Sequence, residues 1–161
     1  MKIFLCSLFF MAISLTLLSA CDSGQTAETQ DWEPTIYETV NNLDGVTMIV
    51  KGETVSSTGL TVTLENKTDK RCVYSEDFLL EKKIEGKWYQ VPIIKGASYG
   101  FGEPGYELDS DSSNVSDWTV DWEWLYGSLD IGEYRIVKSI LDVRKPGDYD
   151  RHHLIAEFTI D

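Results

Sequence analysis

Asp121 and Glu123 stand two residues apart, so on an extended strand their carboxylates share a face. Paired carboxylates about 5 to 9.5 Å apart across a cleft are what glycoside hydrolysis needs, one as acid and the other as base or nucleophile. The alternate positions are Trp118, Val120, Trp122 and Trp124, which makes the acidic side the wet side of a half-buried strand. The tryptophans themselves have two readings. Rings on one face of a strand are ordinarily core, whereas a flat platform for stacking sugars needs at least two of Trp118, Trp122 and Trp124 exposed side by side.

The remaining candidates are weaker. Asp109, Asp111, Ser113 and Asp117 fall at calcium-loop offsets, but Asn114 replaces the required glycine and Val120 the bidentate glutamate, so the oxygen cage is incomplete. Gly100 to Gly105 matches G-x-G-x-x-G literally, yet Pro104 and strand-like residues follow where a dinucleotide site needs a helix N-terminus. His152 and His153 are adjacent and point to opposite faces of a strand, so they cannot grip one metal, and no second pair completes a site. Gly96-Ala97-Ser98-Tyr99-Gly100 has the G-x-S-x-G spacing, but Pro104 and strand-like residues follow where a nucleophile elbow needs a helix. The expectation is a chain with no catalytic, cofactor-binding or metal-binding residues.

These residues sit on elements whose period is two. Leu60, Val62 and Leu64 alternate with Thr61, Thr63 and Glu65, and Leu154, Ala156, Phe158 and Ile160 share one face near the end; both patterns predict half-buried strands. Further strands are expected at 46–52, 73–84, 87–92, 115–122 and 133–142, divided by turn signals at Glu65-Asn66, Glu85-Gly86, Gly105 and Pro146-Gly147. About seven short strands without a long helix predict an all-β, antiparallel sandwich over 46–161. Glu85-Gly86 reads as a two-residue hairpin loop that pairs Ile84 with Lys87, Lys83 with Trp88 and Lys82 with Tyr89. Leu80, Ile84, Tyr89 and Val91 then face inward and Trp88 outward beside Lys83, while a one-residue bulge would reverse the faces. Residues 31–45 form a lead-in, in which Trp32, Ile36, Tyr37 and Val40 suit an amphipathic turn or two that Pro34 interrupts.

The first residues set the address. Lys2 precedes an apolar run from Ile3 to Leu17, too short for the roughly 20 residues of a spanning helix and followed by small residues, as in a secretory signal. Leu18-Ser19-Ala20-Cys21 resembles the lipobox of bacterial lipoproteins. That resemblance implies cleavage after residue 20 and a diacylglycerol on the Cys21 thiol, with two or more acyl chains holding the protein at the extracytoplasmic face of the cell membrane. Residues 21–30 are small and polar, a flexible tether. Loss of 1–20 leaves 13 basic and 27 acidic residues, a net charge of −14, which repels phosphate backbones and anionic headgroups and so disfavours both nucleic acid as a partner and peripheral docking on a membrane. Cys6 leaves with the signal and Cys21 carries lipid, so Cys72 has no disulfide partner within the chain and reads as a small buried apolar group.

At Leu129-Asp130-Ile131-Gly132-Glu133-Tyr134 a turn enters a strand whose first inward residue is tyrosine. This resembles the tyrosine corner of immunoglobulin-like domains, in which the hydroxyl bonds back to the preceding backbone. Together with Leu64 to Thr68, Leu80 to Lys83, Gly86 to Tyr89, Trp118 to Tyr126 and Gly132 to Lys138, the stretch is similar to a family of bacterial immunoglobulin-like domains found in envelope lipoproteins and sensors. Trp88-Tyr89-Gln90 also looks like the tryptophan strand of antibody variable domains, but Ile136 stands where their second core cysteine would be. The resemblance implies an immunoglobulin-like fold, an envelope location and a non-catalytic module. The expected partners are the membrane, through the anchor, and an envelope protein or glycan, with the domain itself a monomer. The alternatives are a carbohydrate-binding module built on the tryptophans and a small envelope hydrolase.

Overall fold

The structure is a computed structural model that describes residues 32–94, 96, 100, 105–109 and 113–161. The expected signal peptide, Cys21 and its tether lie outside the described residues, as do Asp111 and the middle of the glycine loop. The elements are β1 (Val46–Val50), a 3-10 turn (Gly52–Thr54), β2 (Gly59–Asn66), β3 (Cys72–Tyr74), β4 (Leu79–Ile84), β5 (Lys87–Gln90), β6 (Tyr106–Leu108), β7 (Val115–Asp121), the one-turn helix α1 (Glu123–Tyr126), β8 (Gly132–Lys145) and β9 (Asp148–Ile160).

All the ladders are antiparallel. β1, β2 and β7 form one sheet, and β5, β4, β8, β3 and β6 the other, with β9 also paired to β8. Strand β8 is the spine of the larger sheet. Its first half pairs with β4, its second half with β3, and its other edge with β9 over nearly the whole length. The alternating patterns meet as the sequence predicts: Leu60, Val62, Leu64, Trp118 and Val120 of one sheet and Leu80, Ile136, Ile140, Leu154 and Phe158 of the other are buried in one core. Each fully buried aliphatic side chain contributes roughly 1.5 to 3 kcal/mol. The protein is therefore an all-β, antiparallel sandwich of two sheets.

Glu85 and Gly86 take φ of 51° and 79°, the paired left-handed conformation of a tight hairpin loop whose twist matches its strands. The pairs Ile84 with Lys87, Lys83 with Trp88 and Lys82 with Tyr89 form without a bulge, so Leu80 and Val91 are buried while Trp88 lies on the outer face with the Lys83 ammonium 5.7 Å from its ring centre.

The structure departs from the sequence expectations in several places. Nine strands, not seven, occur among the described residues; β6 was unforeseen, and the strand expected over 73–84 is two. Residues 75–78 leave the ladder between β3 and β4 because Lys138 of β8 takes the carbonyls of Ser75 and Asp77 as acceptors. β7 stops at Asp121, where the Trp122 amide donates to Thr58 O and α1 begins. β1 stops at Val50, one residue before the 3-10 turn is capped by Lys51.

The lead-in has no helical turn. It runs as an extended strap: Pro34 bridges Tyr89 at the β5 edge, the Thr35 amide donates to Trp88 O, and Glu33 O accepts from the Gln90 amide. Tyr37 then packs on His153 at 4.7 Å, and Asn41, at φ 52°, closes the strap on β9 through its amide to His153 O and its side-chain oxygen to the Ile155 amide. The strap therefore crosses the outer face of the larger sheet from edge to edge before entering β1. Pro34 fixes the extended start and asparagine tolerates the left-handed end better than most residues.

Candidate functional site

The aromatic run splits between core and surface. Trp118 and Trp122 alternate inward from β7 and its end, whereas Trp124 falls on α1 and is 46 % exposed. Trp122 is fully buried, stacks on Phe158 at 5.6 Å and donates its indole N–H to Ser57 O. Trp118 is 7 % exposed and donates to Glu76 Oε2 at 3.4 Å. The indole of Trp124 donates to Asp121 O, while Asp121 Oδ1 accepts from the Glu123 amide and so opens the helical turn. One exposed ring out of three makes no sugar platform, and the reason is local: the chain turns helical after Trp122, so the period of two that would align Trp124 is lost.

The face of Trp118 is also taken. The Lys138 ammonium lies 3.7 Å from its ring centre and 5.6 Å from that of Tyr74, and it donates to Asp77 O at 2.6 Å and to Ser75 O. Lys138 is wholly buried, and burial pulls its pKa from 10.5 down to about 8 against the opposing pull of Asp77 and Glu76. Two carbonyls and a desolvated indole face offset part of the cost of burying the charge. Beside this centre Glu76, Phe78, Trp118, Asp121 and Trp124 line an open groove of about 230 Å³. Tyr106 donates its hydroxyl to Glu76 Oε1. Each polar group that reaches the groove from β7 or from residues 75–78 thus also holds a neighbour in place.

A second buried charge lies on the opposite face of the same sheet. Glu81 is fully buried and Arg135 is 5 % exposed; Arg135 Nε donates to Glu81 Oε2 at 2.6 Å and its Nη2 to Thr35 Oγ1 of the strap at 3.0 Å, with the guanidinium 4.6 Å from the Trp88 ring centre. Sequence reasoning missed both centres. Lys138 carried a signal, since it shares the inward phase of Tyr134, Ile136 and Ile140; Glu81 and Arg135 carried none, because their outward phase ordinarily means solvent.

The other candidates separate. Asp117 faces outward on β7, bound to Lys51 and Thr63, which hold its carboxyl below the usual range. Asp109 pairs through its backbone with Ser113, and no cluster of three metal-ligating side chains occurs among the described residues. Gly105 leads into strand β6, not a helix. His152 bonds Asn42 while His153 packs on Tyr37. Cys72 is buried and free, its thiol pushed up to about 11 by burial. Tyr134 is buried on β8 and its hydroxyl donates to Asp130 O at 2.9 Å, across the turn that enters the strand.

The family model of the bacterial Ig-like domain matches residues 42–159. No curated protein and no solved structure matches the chain. The match spans both sheets from β1 almost to the end of β9, and the chain belongs to the bacterial Ig-like domain family.

Proposed function

We propose that this protein is a non-catalytic Ig-like binding module, tethered by lipid on Cys21 to the outer face of the bacterial cell membrane. One observation carries the non-catalytic part: the groups that chemistry would recruit are engaged in holding the fold. Asp121 opens α1, Asp117 pairs with Lys51, Trp118 lies under Lys138 and Trp122 is bonded to Ser57. Rigid strands then serve to present edges and loops to an envelope partner, which is the use such sandwiches have when function resides on the surface.

The tether rests on Lys2, the apolar run and Leu18-Ser19-Ala20-Cys21. Detergent-phase partitioning of the full chain and of Cys21→Ser tests it. The parent is expected in the detergent phase and the variant in the aqueous phase, since the variant lacks the lipid acceptor; equal membrane recovery of the two would defeat the lipoprotein reading. A pull-down from envelope extract with the soluble domain then identifies the partner.

A further inference from the structure

The strap fixes where the tether leaves the domain. Glu33 lies beside Gln90 and Pro34 beside Tyr89 in antiparallel sense, so Trp32, the first described residue, falls at the end of β5 that leads to Val91. Trp32 packs on the core there. Ile93 and Ile94, three and four residues beyond the end of β5, are 38 % and 47 % exposed, and the Ile94 amide donates to Leu125 O, which brings this segment to α1, the turn that carries the exposed Trp124. Three large apolar side chains thus meet solvent at the end of the sandwich from which the anchor segment departs.

We propose that this end, Ile93, Ile94 and Trp124, rests in the headgroup region of the membrane that carries the anchor. The proposal builds on the lipid-anchored reading above. A flexible coil over residues 21–30, the proposed tether, would span roughly 18 Å on average, which would keep the domain end near the lipid surface at an effective concentration in the millimolar range. Tryptophan and isoleucine suit that depth, the indole sitting at the boundary between acyl chains and headgroups. Asp121 and Glu123 flank the patch and are exposed, so the favoured surface is zwitterionic, and anionic lipid weakens the contact. Without the tether the patch is too small and the chain too acidic to hold the protein on a membrane.

The test uses the full lipidated chain in phosphatidylcholine vesicles, some with bromine placed on the acyl chains just below the headgroups. Vesicle recovery reads the anchor; tryptophan quenching reads the orientation. The expected result is shallow-bromine quenching that is lost in Trp124→Phe and in the double variant Ile93→Asp, Ile94→Asp, with recovery and melting temperature unchanged. Recovered protein whose emission is the same in brominated and plain vesicles would overturn the orientation and leave the anchor intact. Failure of the parent chain to be recovered overturns the anchor and the orientation with it.

Discussion

Replacing Lys138 by methionine should change how the domain's stability depends on pH. The native lysine is buried between Trp118 and Tyr74, with its pKa pulled from 10.5 to about 8 by desolvation. The unfolded chain therefore keeps this proton to a pH at which the fold has already released it, and between those two values stability rises with pH. At about 1.36 kcal/mol per unit, the native protein gains about 2 kcal/mol between pH 7 and pH 9.5 from this group alone. Cys72 acts in the opposite direction, since burial raises its thiol from 9.0 to about 11 and the unfolded chain ionises first. Both proteins retain Cys72, so its contribution cancels when they are compared. Urea melts of the soluble domain and of Lys138→Met at pH 7 and pH 9.5 should thus give a difference in unfolding free energy that shifts by about 2 kcal/mol in favour of the native lysine at the higher pH. A difference that is the same at both values would show that Lys138 is not desolvated as described, and would remove the account of why residues 75–78 leave the sheet.

Tyr134→Phe removes the hydroxyl that serves Asp130 O and should cost about 1 to 3 kcal/mol in the same melts; an unchanged midpoint would mean that the bond contributes nothing to the turn. Trp122→Ala empties a fully buried site beside Phe158 and should cost about 3 to 5 kcal/mol or prevent folding; a fully stable variant would return the ring to the surface. Arg135→Met leaves the buried Glu81 carboxylate without its cation and should cost about 3 to 5 kcal/mol, read as a lowered urea midpoint at neutral pH.

The sequence was readable where one strand's own pattern determined the outcome. Glu85-Gly86 fixes a loop whose register follows from its length, and Leu154 to Ile160 declare one buried face by alternation alone. It was not readable where a distant residue decides. Nothing in Ser75 to Phe78 says that the ladder must break; the break depends on an ammonium more than sixty positions later in the chain. Tyr106 to Leu108 is a strand because β3 lies beside it, and three residues are too few to show a period. The tryptophan run was half legible, since alternation holds through Trp122 and fails at Trp124 where Asp121 turns the backbone. Glu81 and Arg135 looked like a wet face because the strap that covers them begins a hundred residues before Arg135 in the chain.

That strap alters what a mechanical load does to the protein. Any pull on the N-terminus is felt first by residues 32–41, whose bonds to β5 and then to Asn41's partners on β9 are met one after another, before the spine of β8 and β9 carries force. Under such a load the strap would be the first segment to detach, a fuse ahead of the sandwich, and its loss would take the Thr35 hydroxyl away from Arg135. The family match begins at residue 42, so the fuse lies just outside the part of the chain that the family shares.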